Sequence, residues 1–368
     1  MKLLHIADAH LDSKMESKLD KSKASLRRDE LLDTFCGIAD YADENGVSAV
    51  IIAGDLFDTR NVRVGAVNRV KAAFNSHPDV TFIYLKGNHD EAAYFEGDYP
   101  GNLIIFDKAG LDKVNLKTAS GKPVNIVGIV PGEDGFDKAY TELNLDYDAM
   151  NIVTMHGAVG EYQGKDKAEN IDLSRLRNRN IDYLALGHYH TFTEGELPSR
   201  GKYCYPGCPE GRGFDECGEH GFVIIDIDDD SLSFKTSFVP FAKRNIYEIE
   251  ADISECMTTP EIDSRIAEAI KGSPATSDDL VRIVLKGETA VDAEKDIEHV
   301  RRQVSERFFY GEVKDLTRVA IDYDEYLHEA SLKGELVRLL KEEDLTEDER
   351  GLIVRCAVQA LKGEDISL

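Results

Sequence analysis

Ala49-Val50-Ile51-Ile52-Ala53-Gly54-Asp55-Leu56-Phe57-Asp58 shows how this chain is built: a short aliphatic run, a glycine, then two carboxylates three residues apart. A run apolar at consecutive positions needs cover on both faces, so it reads as an interior strand. The same rhythm recurs on either side. Lys2–Ala7 runs into Asp8-Ala9-His10, and Thr81–Lys86 into Gly87-Asn88-His89-Asp90. Asn151–Met155 stops at His156-Gly157, and Tyr183–Leu186 at Gly187-His188-Tyr189-His190. Leu31–Ala42 and Val64–Asn75 have the spacing of helices between the early strands. The later runs Val124–Val130, Phe222–Ile227 and Leu232–Phe238 have no long helix between them. The expected fold class is therefore α/β, with two packed mixed β-sheets flanked by helices.

From Ile246 the pattern changes. Ile246–Glu250, Val281–Leu285 and Val319–Tyr323 read as strands, Pro260–Ile270 and Ala293–Phe309 as helices. Glu329–Ala360 reads as two helices divided by Asp344-Leu345-Thr346, where Thr346 and Glu349 make a capping box. Leu332, Leu336, Leu339 and Leu340 give the first of them an apolar face. Three parts are expected: residues 1–245, a small α/β domain at 246–325, and a helical segment at 326–368.

With 368 residues, 42% hydrophobic and 31% charged, the chain can bury a large core and exceeds one ordinary domain. Its apolar runs fall far short of the roughly 18 residues that span a bilayer, and its start has no export signal. A cytoplasmic protein with no membrane partner is expected. Six cysteines are too sparse for a disulfide scaffold, and Cys204, Cys208, Cys217 and His220 match no strong zinc spacing. The net charge of −26, of which −14 falls on residues 246–368, excludes a uniformly positive nucleic-acid grip. Lys14–Arg28 is locally basic and reads as a solvated helix face or a phosphate-contacting loop.

The chemistry is written where the five strands stop. Five of the ten histidines lie there, beside Asp8, Asp55 and Asn88. Strand ends place short, stiff side chains at one sheet edge, where open α/β sheets build their sites. Imidazole mixed with carboxylate and amide oxygen suits borderline divalent ions such as manganese, iron or zinc better than thiolate-loving or purely oxygen-bound ones. Two divalent ions are expected, manganese foremost, with iron, magnesium or zinc as alternatives. Asp8, His10, Asp55, Asn88, His156, His188 and His190 are seven candidate metal ligands, enough for two ions sharing a carboxylate. Two such ions can activate water and neutralise a phosphate, supplying the positive charge that the surface lacks. Arg60, Arg63 and Arg212 are candidate phosphate contacts.

The ordered set D-x-H, G-D-x-x-D, G-N-H-D, a lone His and G-H-x-H, across Asp8 to His190, resembles the signature of the calcineurin-like metallophosphoesterase superfamily. The resemblance implies a four-layer sandwich with one ion on Asp8, His10, Asp55 and His190. A second would sit on Asp55, Asn88, His156 and His188, with Asp55 bridging. It implies that His89 is catalytic, orienting the phosphate or protonating the leaving oxygen, and that Asp58 holds His10 or a loop from behind. Within the superfamily, His5–Asp12, Ala53–Asp58 and Tyr205–Glu210 are similar to DNA double-strand-break repair exonucleases of the SbcD type. That likeness implies a nuclease, exonuclease or endonuclease, acting on DNA as a homodimer with an SbcC-type coiled-coil ATPase subunit. It also implies a capping role for residues 246–325 and ATPase docking for 326–368. Two alternatives stand beside it. One is a phosphodiesterase or phosphatase acting on small nucleotides or phosphoproteins. The other is a non-catalytic subunit recruiting an ATPase, against which speaks the presence of every ligand position.

Overall fold

The computed structural model of the 368-residue chain describes residues 1–15, 19–58, 62–87, 92–95, 99–133, 135–160, 169–290, 293–320 and 330–362. They fall into two compact units, Met1–Asn245 and Ile246–Leu368.

The first unit is built on two six-stranded sheets. One contains β1 (Lys2–Ile6), β2 (Val47–Ala53), β3 (Thr81–Leu85), β4 (Leu103–Phe106), β13 (Gly221–Ile227) and β14 (Phe234–Pro240), in the order β14-β13-β1-β2-β3-β4. β1 to β4 are parallel, and β13 and β14 join antiparallel beside β1. The other contains β5 (Gly110–Lys117), β6 (Pro123–Val130), β7 (Met150–His156), β10 (Tyr183–Gly187), β11 (Thr193–Glu196) and β12 (Lys202–Tyr205), in the order β11-β12-β10-β7-β6-β5. Its centre, β6, β7, β10 and β12, is parallel, with antiparallel β5 and β11 at the edges. Between them in sequence, β8 (Ala158–Val159) and β9 (Asn170–Ile171) form a short parallel pair.

Period-two alternation along β2 shows how the layers stack. Ala49 and Ile51 join Ile126, Ile152 and Ala185 in a core between the two sheets. Val50 and Ile52 join Phe35, Ile38 and Phe74 of the helices α1 (Lys21–Glu44) and α2 (Val64–Ser76) on the outer face. Beyond the second sheet, Val127, Val153 and Leu184 pack with Ala139 and Tyr140 of α3 (Asp137–Glu142). The result is helix, sheet, sheet, helix, the two packed mixed sheets expected from the sequence.

In the first unit two boundaries differ markedly from the sequence reading. Helix α1 starts at Lys21 rather than Leu31, because Asp20 caps it by accepting from Ser22 and Lys23 N–H, and because Arg27 and Glu30 turn inward. Arg27 is 0% exposed, so the basic stretch is not simply a solvated face. The run expected to start at Leu232 pairs only from Phe234, since Asp228 accepts from Asp230 and Ser231 N–H and holds a turn, and Leu232 lies at φ +61°.

In the second unit β15 (Ile246–Asp252), β16 (Leu280–Lys286) and β18 (Tyr310–Asp315) form a parallel sheet. One face packs against α4 (Thr259–Lys271) and α5 (Ile297–Arg307), through Ile249, Ile283 and Leu285 against Ile262, Ile266 and Val300. Helix α5 starts later than expected because Asp296 caps it at His299 N–H. β17 (Glu288–Ala290) and β19 (Arg318–Ala320) pair in parallel, and the expected strand residues 321–323 lie outside the described residues. Two helices follow, Leu332–Lys341 and Glu347–Lys362, the second opened by Thr346 and Glu349 bonded reciprocally. The first buries Val337 and Leu340 against Val354, which leaves Leu332 and Leu339 exposed and splits the apolar face read from the sequence. Among the described residues, no helix is long and apolar enough to cross a membrane.

Candidate metal centre

The C-terminal ends of β1 and β2 in one sheet, and of β7 and β10 in the other, meet. Asp8 N–H bonds Gly54 C=O at 3.1 Å, His10 N–H bonds Asp55 C=O at 3.0 Å, and Leu11 N–H bonds Leu56 C=O at 2.9 Å, so the two loops after β1 and β2 run on side by side. The second sheet is tied in by His156 Nδ1, 2.9 Å from Ala53 C=O, and by His188 N–H, which donates to both Asp8 oxygens at 3.1 and 2.9 Å.

This crossing is tight. A Cβ on Gly54 would lie 2.2 Å from His156 Nδ1, and one on Gly87 would lie 2.2 Å from Asp55 Oδ1. Asp8, His10 and Asp55 themselves sit at φ +52°, +41° and +48°. Left-handed non-glycine backbone costs about 1–3 kcal/mol per residue and persists where surrounding structure imposes it.

The expected residues gather as two groups of ligand atoms, Asp8 with His10 and His190, and Asp8 with Asp55 and His156. Asp8 is common to both. Asp55 Oδ2 lies 3.9 Å from His10 Nε2 and 3.2 Å from His156 Nε2, so it too reaches both sides. The His188 imidazole stacks edge-on to that of His156 at 5.8 Å and is in neither group. Asn88, His89 and Arg60 lie outside the described residues. Arg63 stands at the start of α2, where it donates to Asp12 and approaches Asp29.

The groups behind each ring decide what the near side can hold. His190 Nδ1 lies 2.6 Å from Glu216 Oε1 and 3.2 Å from Arg212 Nη2, His156 Nδ1 faces the Ala53 carbonyl at 2.9 Å, and His10 Nδ1 pairs with Asp58 Oδ1 at 3.2 Å without the alignment of a hydrogen bond. The three oxygens only accept, which favours the proton on Nδ1 and leaves Nε2 facing inward. His10 Nε2 and His190 Nε2 then face each other at 3.2 Å, and His156 Nε2 faces a carboxylate. Lone pairs so placed need a cation or a proton between them.

The titration of the groups divides them. Burial alone would lower His156, but Asp55 and Asp8 push it up to about 10. His190 is raised against burial by Glu216 and Asp8, while His10 is lowered by burial and by Arg212. His188 is likewise lowered by burial and by His156. Carboxylates that draw a proton onto buried His156 and His190 would draw a divalent ion in its place. The donor set of nitrogen and carboxylate oxygen therefore fits the metals that the sequence suggested.

Glu216 was not legible as a site residue. It is buried beneath His190, also accepts from Arg212, and lies well below the usual carboxylate range because His190 and Arg212 outweigh the cost of burial. Cys208 sits beside it, 3.3 Å from His220 Nδ1, while Cys217 points to the Phe214 carbonyl. Among the described residues, no cysteine enters a metal-binding group.

The family model for calcineurin-like phosphoesterases matches residues 1–192. An uncharacterised metallophosphoesterase of Bacillus subtilis, YhaO, is 24% identical over 300 residues, 77% of this chain and 71% of its own. The DNA double-strand break repair protein Mre11 of Sulfolobus acidocaldarius is 24% identical over 272 residues, 68% of this chain and 67% of its own. The SbcD component of the nuclease SbcCD of Escherichia coli is 26% identical over 267 residues, 61% of this chain and 64% of its own. Across such relatives the chain spans between 40% and 71% of their length.

Proposed function

The chain belongs to the calcineurin-like phosphoesterase family and is a metallophosphoesterase, and on that premise we propose that it is a metal-dependent DNA nuclease of break repair. The observation that carries the reading is the set of inward-facing Nε2 atoms on His10, His156 and His190 around Asp8 and Asp55. Two divalent ions held there, manganese foremost, would supply the charge that neutralises a phosphodiester and activates water for in-line displacement. Asp8, His10, Asp55 and His190 hold one ion in this reading, and Asp55, Asn88, His156 and His188 the other.

The chain's own part is to orient and exclude. Asp58 and Glu216 keep His10 and His190 in one tautomer, and the Ala53 carbonyl does so for His156. His89 serves as general acid to the leaving oxygen. DNA as substrate is supported by the break-repair and nuclease relatives, and partnership with a coiled-coil ATPase by the likeness to the SbcD component of SbcCD. In this reading the protein works in the cytoplasm as a homodimer, residues 246–325 cap the nuclease domain, and residues 326–368 dock on the ATPase.

The net charge of −26 favours a second reading, a phosphodiesterase for small nucleotides, since it gives an isolated chain little electrostatic grip on DNA. The two separate in one experiment: end-labelled duplex DNA and bis-p-nitrophenyl phosphate, each with manganese, magnesium or chelator. Manganese-dependent DNA degradation supports the nuclease. Turnover of the ester with DNA intact, even after addition of an SbcC-type ATPase, refutes it in favour of the second reading.

A further inference from the structure

The Arg212 guanidinium lies between two carboxylates, each of which holds one ligand histidine. Its Nη1 donates to Asp58 Oδ1 at 2.9 Å, and that oxygen is the one 3.2 Å from His10 Nδ1. Its Nη2 and Nε donate to Glu216 Oε1 at 2.9 and 3.2 Å, and that oxygen is the one 2.6 Å from His190 Nδ1. Arg212 N–H also donates to the other Glu216 oxygen at 2.6 Å, so one buried carboxylate fixes both the guanidinium and the loop that carries it. The two imidazoles close the ring by facing each other at 3.2 Å.

That loop is anchored from beneath. Glu210, 2% exposed, accepts from Arg27 at 2.8 Å, Thr34 at 2.7 Å and Lys243 N–H at 2.7 Å, and Arg27 reaches the Gly211 carbonyl at 2.6 Å. A planar fork between two carboxylates is a rigid strut, which a lysine could not reproduce.

We infer that Glu216 and Arg212 are positioning residues for one half of the centre. With Asp58 they form a carboxylate–guanidinium–carboxylate brace that sets the tautomer and spacing of His10 and His190. The brace thereby sets the affinity of the ion held by those two histidines with Asp8. The inference rests on the two-ion reading of the site. It gives Arg212, a candidate phosphate contact by sequence, a different task, because Nε, Nη1 and Nη2 donate to carboxylates and Nη2 also lies 3.2 Å from His190 Nδ1. It also makes the two halves unequal. His156 takes its tautomer from a backbone carbonyl and does not depend on the brace.

Losing a carboxylate behind a ligating histidine lowers metal affinity by about 10–100-fold. The test is a manganese titration of the full chain by calorimetry and by electron paramagnetic resonance of free Mn²⁺, for wild type, Glu216→Gln and Arg212→Gln. Both variants are expected to weaken one ion by about 10–100-fold and leave the other unchanged. Folded variants that bind both ions as wild type does would overturn the inference. Variants that fail to fold do not leave the matter open, because ¹⁵N-histidine spectra of the metal-free wild type read the brace directly. A proton on Nδ1 of both His10 and His190 supports it, and a bare Nδ1 on either refutes it. A wild type that binds no manganese would sink the two-ion reading, and the spectra would still report on the brace.

Discussion

Removing Arg27 tests whether the site loop is held by a buried ion network. Its side chain is 0% exposed and donates to Glu30 at 2.6 Å, Glu210 at 2.8 Å and the Gly211 carbonyl at 2.6 Å. In Arg27→Ala, Glu30 keeps Arg244 at 2.8 Å, and Glu210 keeps Thr34 and two backbone N–H groups. The damage therefore concentrates on the Gly211 carbonyl and on a Glu210 charge that keeps only neutral donors. Breaking one side of a buried pair costs about 3–5 kcal/mol, and the remaining donors put this case near ~3 kcal/mol. For a unit of this size that lowers Tm by about 6–12 °C. With no tryptophan in the chain, the assay is far-UV circular dichroism in chelator, with hydrogen exchange of α1 to assign the loss to the first unit. A drop below about 1 kcal/mol, the scale of an exposed pair, would refute the reasoning.

Gly187→Ala would place a Cβ 1.9 Å from the Ala53 carbonyl oxygen and 2.7 Å from His156 Nδ1, so the variant should lose metal as judged by bound-ion content. Ile51→Ala, in the core between the sheets, should cost about 2–5 kcal/mol in urea unfolding while a folded sample keeps its bound ions. Burial alone would raise Glu30, Asp58 and Glu216, but Arg244 and Arg27 lower the first, His10 and Arg212 the second, and His190 and Arg212 the third. Depressed carboxylates stabilise the fold above their ordinary range of about 4, so stability in chelator should hold there and fall as pH drops through the depressed values, which a pH series of unfolding curves reads. His89→Ala should lose about 10²–10⁴-fold in hydrolysis with bound metal unchanged.

The strands that carry the site were legible because each is apolar at nearly every position and ends abruptly in a ligand-type residue; Val47–Ala53 and Tyr183–Gly187 show this. So were the glycines beside them, whose missing side chains make room for His156 and Asp55. What the sequence did not show are polar residues at work in the interior. The first turns of α1 contain Arg27 and Glu30 where an apolar stripe would announce a helix, so the amphipathic pattern begins late. Glu216 sits in a glycine-rich loop with nothing local to distinguish it, because its partners His190 and Arg212 meet it only when the loop folds back. Pairings of that kind are set by tertiary packing, not by spacing.

The central claim is that Asp8, Asp55 and the histidines around them form a two-ion centre, and counting the ions tests it most directly. The chain equilibrated with Mn²⁺ and freed of loose metal is measured by inductively coupled plasma mass spectrometry beside Asp55→Asn, whose carboxylate reaches both His10 and His156 and is shared by both ions in this reading. Two ions per wild-type chain, with both weakened in Asp55→Asn, is the result the account requires. Wild type with no retained ion, or Asp55→Asn binding as wild type does, would contradict it.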